Sequence, residues 1–124
     1  MDIDINFHEK DNYLFIKFQG VFIFDNKILL DKTMPQALQK YSCAKVLLDI
    51  RELDIKLGTF STLDGYAIGE YFASLSVTPV KIKSAVLAKE AQIDHFIEIV
   101  AKNRGAFFEV FTSKEEAVSW LLSF

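Results

Sequence analysis

Between positions 49 and 62 the chain places several side chains with chemistry to offer close together. Asp49, Glu52 and Asp54 are carboxylates around Arg51, and the hydroxyls of Thr59, Ser61 and Thr62 follow. Carboxylates so spaced are the raw material of acid–base or metal chemistry. No His or Cys lies near them in sequence, and Asp and Glu are mostly surface residues, so a solvated set at the end of a strand is the plainer expectation. Cys43 and His95 supply the types needed for a nucleophile and its base. Cys43 falls just before a strand, however, His95 falls on the polar side of a helical period, and no third group orients them. A small buried thiol and a surface imidazole are expected instead. His8 falls in a turn. Two His and one Cys show no metal-ligand spacing. Gly65 and Gly69 lie inside a helical period, without Walker or dinucleotide spacing. The residues therefore predict no catalytic site, no metal and no cofactor.

The elements that must position these groups alternate. Strand-forming runs at 13–20, 45–50, 81–88 and 107–111 are each followed by a helical pattern. Parallel strands need long crossovers, usually helices, so the repeat predicts an open parallel sheet with helices on its faces. Before it, residues 2–7 alternate, with Ile3, Ile5 and Phe7 on one side and Asp2, Asp4 and Asn6 on the other, as in a half-buried strand. A short turn at 8–12 makes the first two strands an antiparallel hairpin, the second of them ending at Gly20. Val46, Leu47 and Leu48 are apolar in succession, as in a central strand covered on both sides.

Helical stripes follow. Leu30, Met34, Ala37, Leu38 and Tyr41 form one behind an Asp25 cap, with Pro35 kinking or breaking it. Ser61 caps a helix over 62–75 that turns Ile68, Phe72 and Leu75 inward and leaves Leu63, Tyr66 and Ala67 outward or on the flank. Ile93, Phe96, Ile97 and Val100 form another stripe, with Glu98 and Lys102 paired outside. Ser113 and Glu116 make a capping box for a last helix burying Ala117, Trp120, Leu121 and Phe124. The layout is β-β-α-β-α-β-α-β-α in a single domain, 1–124.

A chain of 124 residues can bury a core without disulfides or metals. Its net charge of −3, with scattered Lys and Arg, argues against nucleic acid as a partner. One cysteine excludes an internal disulfide and fits a reducing compartment. Met1 to Asn6 has no basic region leading into an apolar stretch, and no apolar run approaches the ~20 residues of a membrane span. A cytoplasmic protein without a membrane span is expected. The 12 phenylalanines suit an α/β core or, alternatively, an apolar ligand cavity.

The element order resembles the STAS, or SpoIIAA-like, fold of anti-anti-sigma factors. The likeness is carried by the N-terminal hairpin, the strand reaching Gly20, Pro35 within the following helix, and the close Phe108-Glu109-Val110-Phe111-Thr112-Ser113 with Glu116-Ala117 and Trp120-Leu121. That ending is similar to the close of a group of small bacterial SpoIIAA-like proteins; CRAL-TRIO-type lipid-binding domains are more distant relatives of the fold. The resemblance implies an α/β, SpoIIAA-like architecture: an N-terminal β-hairpin followed by four βα units, forming a mixed, mainly parallel sheet with flanking helices. In the switch proteins of that family a kinase phosphorylates a hydroxyl of an Asp-Ser-Ser/Thr-Gly motif at a strand-to-helix entry. The matching stretch here is 56–65, where Ser61, Thr62 and Gly65 are the nearest equivalents, the Asp-Ser pair is absent and the loop is longer. Ser61 and Thr62 are the phosphoacceptors that this implies. A phosphate there would sit at a helix N-terminus and add negative charge to a partner-binding edge.

The functional expectation is a non-enzymatic STAS-like regulatory or protein-interaction module. Ligands and partners meet open α/β sheets at the carboxyl ends of the strands, which here gathers Asp49, Arg51 and Thr59, with Leu63 and Tyr66 on the adjoining helix. The partner is another protein or a second copy of the chain, through helix 62–75 or the hairpin's edge strand. The alternative is a small carrier or sensor of an apolar ligand such as a lipid, prompted by the Phe content and the CRAL-TRIO relationship.

Overall fold

The structure, a computed structural model, describes residues 3–22, 44–55, 82–93, 95–103 and 107–123. The elements are β1 (Ile3–Glu9), β2 (Leu14–Phe22), β3 (Lys45–Ile55), β4 (Lys83–Leu87), a 3-10 turn (Glu90–Gln92), α1 (His95–Asn103), β5 (Phe108–Phe111) and α2 (Lys114–Leu121). The strands form one mixed sheet in the order β1-β2-β3-β4-β5. β1 is antiparallel to β2, and every later neighbour is parallel. The hairpin and the parallel series that the residue pattern predicts are both present. The helices expected behind Asp25 and over 62–75 lie outside the described residues, as do Cys43 and Phe124.

Period-two alternation sends each strand's side chains to two faces. One face carries Leu14, Ile16, Phe18, Val46, Leu48, Val86, Ala88 and Phe108, which pack with Ala101 of α1. The other carries Leu47, Ala85 and Leu87 under Ala117 and Leu121 of α2. β3 lies centrally, so Val46, Leu47 and Leu48 are all buried, each contributing about 1.5–3 kcal/mol of apolar burial. In α2 the Ser113 hydroxyl accepts from the Glu116 N–H at 3.3 Å, one half of the capping box that the sequence predicts. Lys102 reaches Glu109 of β5 at 2.6 Å. No described helix is long and apolar enough to cross a membrane.

Three boundaries differ from expectation. β1 continues through Glu9, so His8 is a strand residue opposite Phe15 instead of a turn residue. Polar residues at 8 and 9 hide this, because at this end of β1 the positions on both faces are exposed. β2 does not stop at Gly20: it runs to Phe22, with Gly20 at φ 119° inside the strand. Only glycine adopts that angle without steric cost. β3 extends from the expected 45–50 to Ile55, because β2 accompanies it beyond the end of β4.

Candidate functional site

β3 pairs with β4 only from Lys45 to Asp49, and it then overhangs β4 while still paired to β2. Where the overhang begins, Lys17 lies opposite Asp49 but Gln19 lies opposite Glu52, a β-bulge that gives β3 one extra residue. The bulge shows in the face pattern. Val46, Leu48 and Ile50 lie on the α1 side at even positions, and Leu53 returns to that side at an odd one. Lys17, Gln19, Asp49 and Glu52 consequently share the α2 side at the carboxyl rim, with Arg51 at the bulge.

Two ion pairs organise this rim. Asp49 is buried, with its side chain 5% exposed, whereas that of Arg51 is 43% exposed. Arg51 Nε donates to Asp49 Oδ1 and Nη2 to Oδ2, both at 3.0 Å, and the Arg51 backbone N–H adds a bond to Oδ1 at 3.1 Å. This fork-on-carboxylate geometry is the strongest arrangement open to such a pair. Burial pushes the Asp49 carboxyl up, but the bonds from Arg51 and the charges of Arg51 and Lys17 outweigh it and hold the group below the usual carboxylate range. Arg51 is correspondingly raised, chiefly by its bond to Asp49. Beside them Glu52 accepts from Gln19 Nε2 at 2.8 Å and meets Lys17 Nζ at 2.7 Å. The bonds from Lys17 and Gln19, with Lys17's charge, lower its carboxyl as well.

The third support comes from across the sheet. Past the end of β4 the carbonyls of Ile50 and Leu53 face the 3-10 turn, and Gln92 Nε2 donates to both at 2.7 Å. Its Oε1 accepts from the Lys89 N–H at 2.8 Å. One amide therefore closes the turn and satisfies the overhanging strand, as buried backbone acceptors require.

Chemically, both Asp49 oxygens are engaged and the group is held ionised, so its basicity is spent on Arg51. Arg51 still offers further guanidinium donors at a surface. Among the described residues no group of three His, Cys, Asp or Glu is placed to hold a metal, and no buried side-chain polar atom lacks a partner. Asp49 and Arg51, two of the expected binding residues, are brought together; Thr59, Ser61, Thr62, Leu63 and Tyr66 lie outside the described residues. Lys17, Gln19 and Gln92 are additions that the sequence reading misses. The slip from Ile50 to Leu53 in the apolar alternation is the signal that locates the bulge in sequence.

No protein-family model matches the chain, and no curated protein matches it. Solved structures do. It is similar to an anti-sigma factor antagonist from Mycobacterium paratuberculosis at TM-score 0.65 and 9% identity, over 96% of this chain and 93% of that one. It is also similar to a DUF3478-family protein with a SpoIIAA-like fold from Shewanella loihica PV-4, at TM-score 0.56 and 21% identity, over 97% of this chain and 93% of that one. Parallel β2 to β5 preceded by an antiparallel β1 is thus the arrangement of a STAS-type, SpoIIAA-like fold.

Proposed function

We propose that the protein is a non-enzymatic, STAS-like regulatory module that binds another protein through the carboxyl rim of its sheet. One observation carries this reading: a buried carboxylate, Asp49, fixes a half-exposed guanidinium, Arg51, at the edge where open α/β sheets receive partners. Arginine is enriched at protein interfaces, and a pre-oriented fork loses little freedom on binding. The anti-sigma factor antagonist of similar fold supports a protein partner by analogy only. In this reading Thr59, Leu63 and Tyr66 extend the contact surface, and Ser61 or Thr62 is the residue whose phosphorylation would weaken an acidic partner's hold.

The apolar-carrier alternative rests on phenylalanine. Phe18 and Phe108 are core residues, and Phe7, Phe15 and Phe111 pack against the two cores. These rings are engaged in packing, which favours the interaction reading. The test is quantitative capture from lysate of the source cells with immobilised wild-type protein and with Arg51→Lys, which keeps the charge and loses the fork. Partners enriched by the wild type should fall at least about tenfold with the variant, a difference of ~1.4 kcal/mol. Equal capture by both baits removes the rim from the argument.

A further inference from the structure

Gln92 Nε2 donates to the carbonyls of Ile50 and Leu53, both at 2.7 Å, and a straight strand does not offer that pair to one amide. Along a strand successive carbonyls point to opposite edges, so two that are three residues apart should diverge. The bulge between the pairs Lys17–Asp49 and Gln19–Glu52 adds the residue that turns both oxygens to one side. Arg51 lies inside this span. The same departure from a straight strand returns the Arg51 N–H to Asp49 Oδ1 at 3.1 Å, a contact between residues two apart of the kind that Asp makes in turns. It also sets Arg51 Nε and Nη2 on the two Asp49 oxygens. The amide that spans the bulge is itself tied down. The Gln92 N–H donates to the Lys89 carbonyl and Oε1 accepts from the Lys89 N–H, both at 2.8 Å. Ile93, next in sequence, packs on the α1-side core.

We propose that Gln92 is the positioning residue of the rim: by gathering the Ile50 and Leu53 carbonyls it holds the bulge that aims Arg51 at a protein partner. The use of Arg51 by a partner rests on the function proposed above, whereas its positioning stands on these bonds alone. Gln92 makes no bond to Arg51, so its influence passes through the β3 backbone. Removing its Nε2 takes a donor from each of two carbonyls, at a place where β4 no longer accompanies β3 past the pair Asp49–Leu87. The relief open to β3 is to straighten, and straightening carries Arg51 away from Asp49. The turn at Glu90–Gln92 thereby becomes part of the partner site without touching the partner, a second level of support behind the buried carboxylate.

Nuclear magnetic resonance of the full chain tests the positioning without a partner. Gln92→Glu keeps an oxygen for the Lys89 N–H and loses both donors. Hydrogen exchange at Arg51 Nε should speed up about tenfold, and the Asp49 carboxyl should titrate closer to the ordinary carboxylate range. Lys17 and Glu52, the other charged groups acting on Asp49, are the same in the variant. Because Gln92→Glu also adds a charge, Gln92→Met, which loses the donors without one, must move both signals in the same direction. The titration is read in the folded protein, so a loss of stability alone leaves it in place. In quantitative capture from lysate, Gln92→Met should lose the partners that Arg51→Lys loses, and the double variant should lose little more, as coupled sites do. Arg51 and Asp49 signals unmoved in both Gln92 variants overturn the inference and leave the partner reading intact. So does capture that falls with Arg51→Lys but holds with Gln92→Met. Capture indifferent to Arg51→Lys while the signals move removes the partner reading instead, and leaves Gln92 as the residue that positions Arg51.

Discussion

The α2-side face of the sheet carries a buried charge at each end, and the two are used in opposite ways. At the amino end of β4, Lys83 is 3% exposed. Its ammonium donates to the Trp120 carbonyl at 2.6 Å and to Ser123 Oγ at 3.2 Å, and it lies 4.5 Å from the Trp120 ring centroid and 5.1 Å from that of Phe107. A cation at a helix C-terminus answers the helix dipole, and here it adds a charged donor to a last-turn carbonyl that the Ser123 N–H and hydroxyl also reach. Burial and the nearby charge of Lys45 lower its pKa, the cost of this placement. Level with the carboxyl end of β4, Asp49 of β3 is equally hidden, but its partner Arg51 reaches out to solvent. The first charge is consumed in seating α2. The second serves to hold another charge at the surface, and the proposed role in recognition rests on that difference.

Removing Lys83 should give the largest loss of stability. Lys83→Ala deletes the packed stem under Trp120 and the cap on α2 together, so we expect a loss of about 3 kcal/mol in urea unfolding. Lys83→Met keeps the stem and discards a penalised buried charge, so its loss should stay near ~1 kcal/mol. If Met costs as much as Ala, the ammonium is a stronger cap than its neighbours imply, and the two ends differ less in kind than their exposures suggest.

Much of this frame is legible in the residues. The successive apolar positions Val46, Leu47 and Leu48 mark a strand covered on both faces, and Ser113 before Glu116 marks the start of α2. The anchor is not legible. Lys83 sits among apolar residues of β4, and its partner is a backbone carbonyl 37 positions away that becomes a neighbour only once α2 folds back over the face. Gln92 is hidden for the same reason, since its acceptors at Ile50 and Leu53 are left over by an overhang and a bulge that belong to the sheet as a whole. Polarity is a misleading cue at the strand ends. His8, Glu9 and the stretch from Arg51 to Asp54 look like loop because the sheet is solvated there.

Arg51→Ala should have the next largest effect, about 2 kcal/mol, because it strands the Asp49 carboxylate in a buried position with only the backbone N–H left. The pH dependence carries the sign. The folded pKa of Asp49 lies below the unfolded one, so the pair's contribution is complete above about pH 4 and is lost as pH falls through the folded value. In the variant burial acts unopposed by the guanidinium, and protonating Asp49 relieves the stranded charge. The gap between the two proteins should therefore narrow below about pH 4, whereas a gap constant with pH would mean that Arg51 contributes packing alone. Asp49→Asn combined with Arg51→Ala should recover part of the loss, as coupled neighbours do.

Glu52→Gln should be the mildest change, and it decides what the rim is for. Glu52 is half-exposed, and its bonds to Lys17 and Gln19 lie in solvent, where ion pairs contribute little. The amide keeps an oxygen for Gln19 and loses only the attraction to Lys17. The urea midpoint should therefore match that of the wild type within error, and adding salt should change neither protein relative to the other. Its influence belongs to the surface: the charge beside Arg51 goes from balanced to net positive, which should slow or hasten association with a charged partner without touching the fold. Were Glu52→Gln to destabilise the protein as Arg51→Ala does, Lys17, Gln19, Asp49, Arg51 and Glu52 would act as one structural cluster, the counterpart of the Lys83 anchor at the other end of the sheet. An unchanged midpoint with altered partner capture separates the charge that is presented from the one that is consumed.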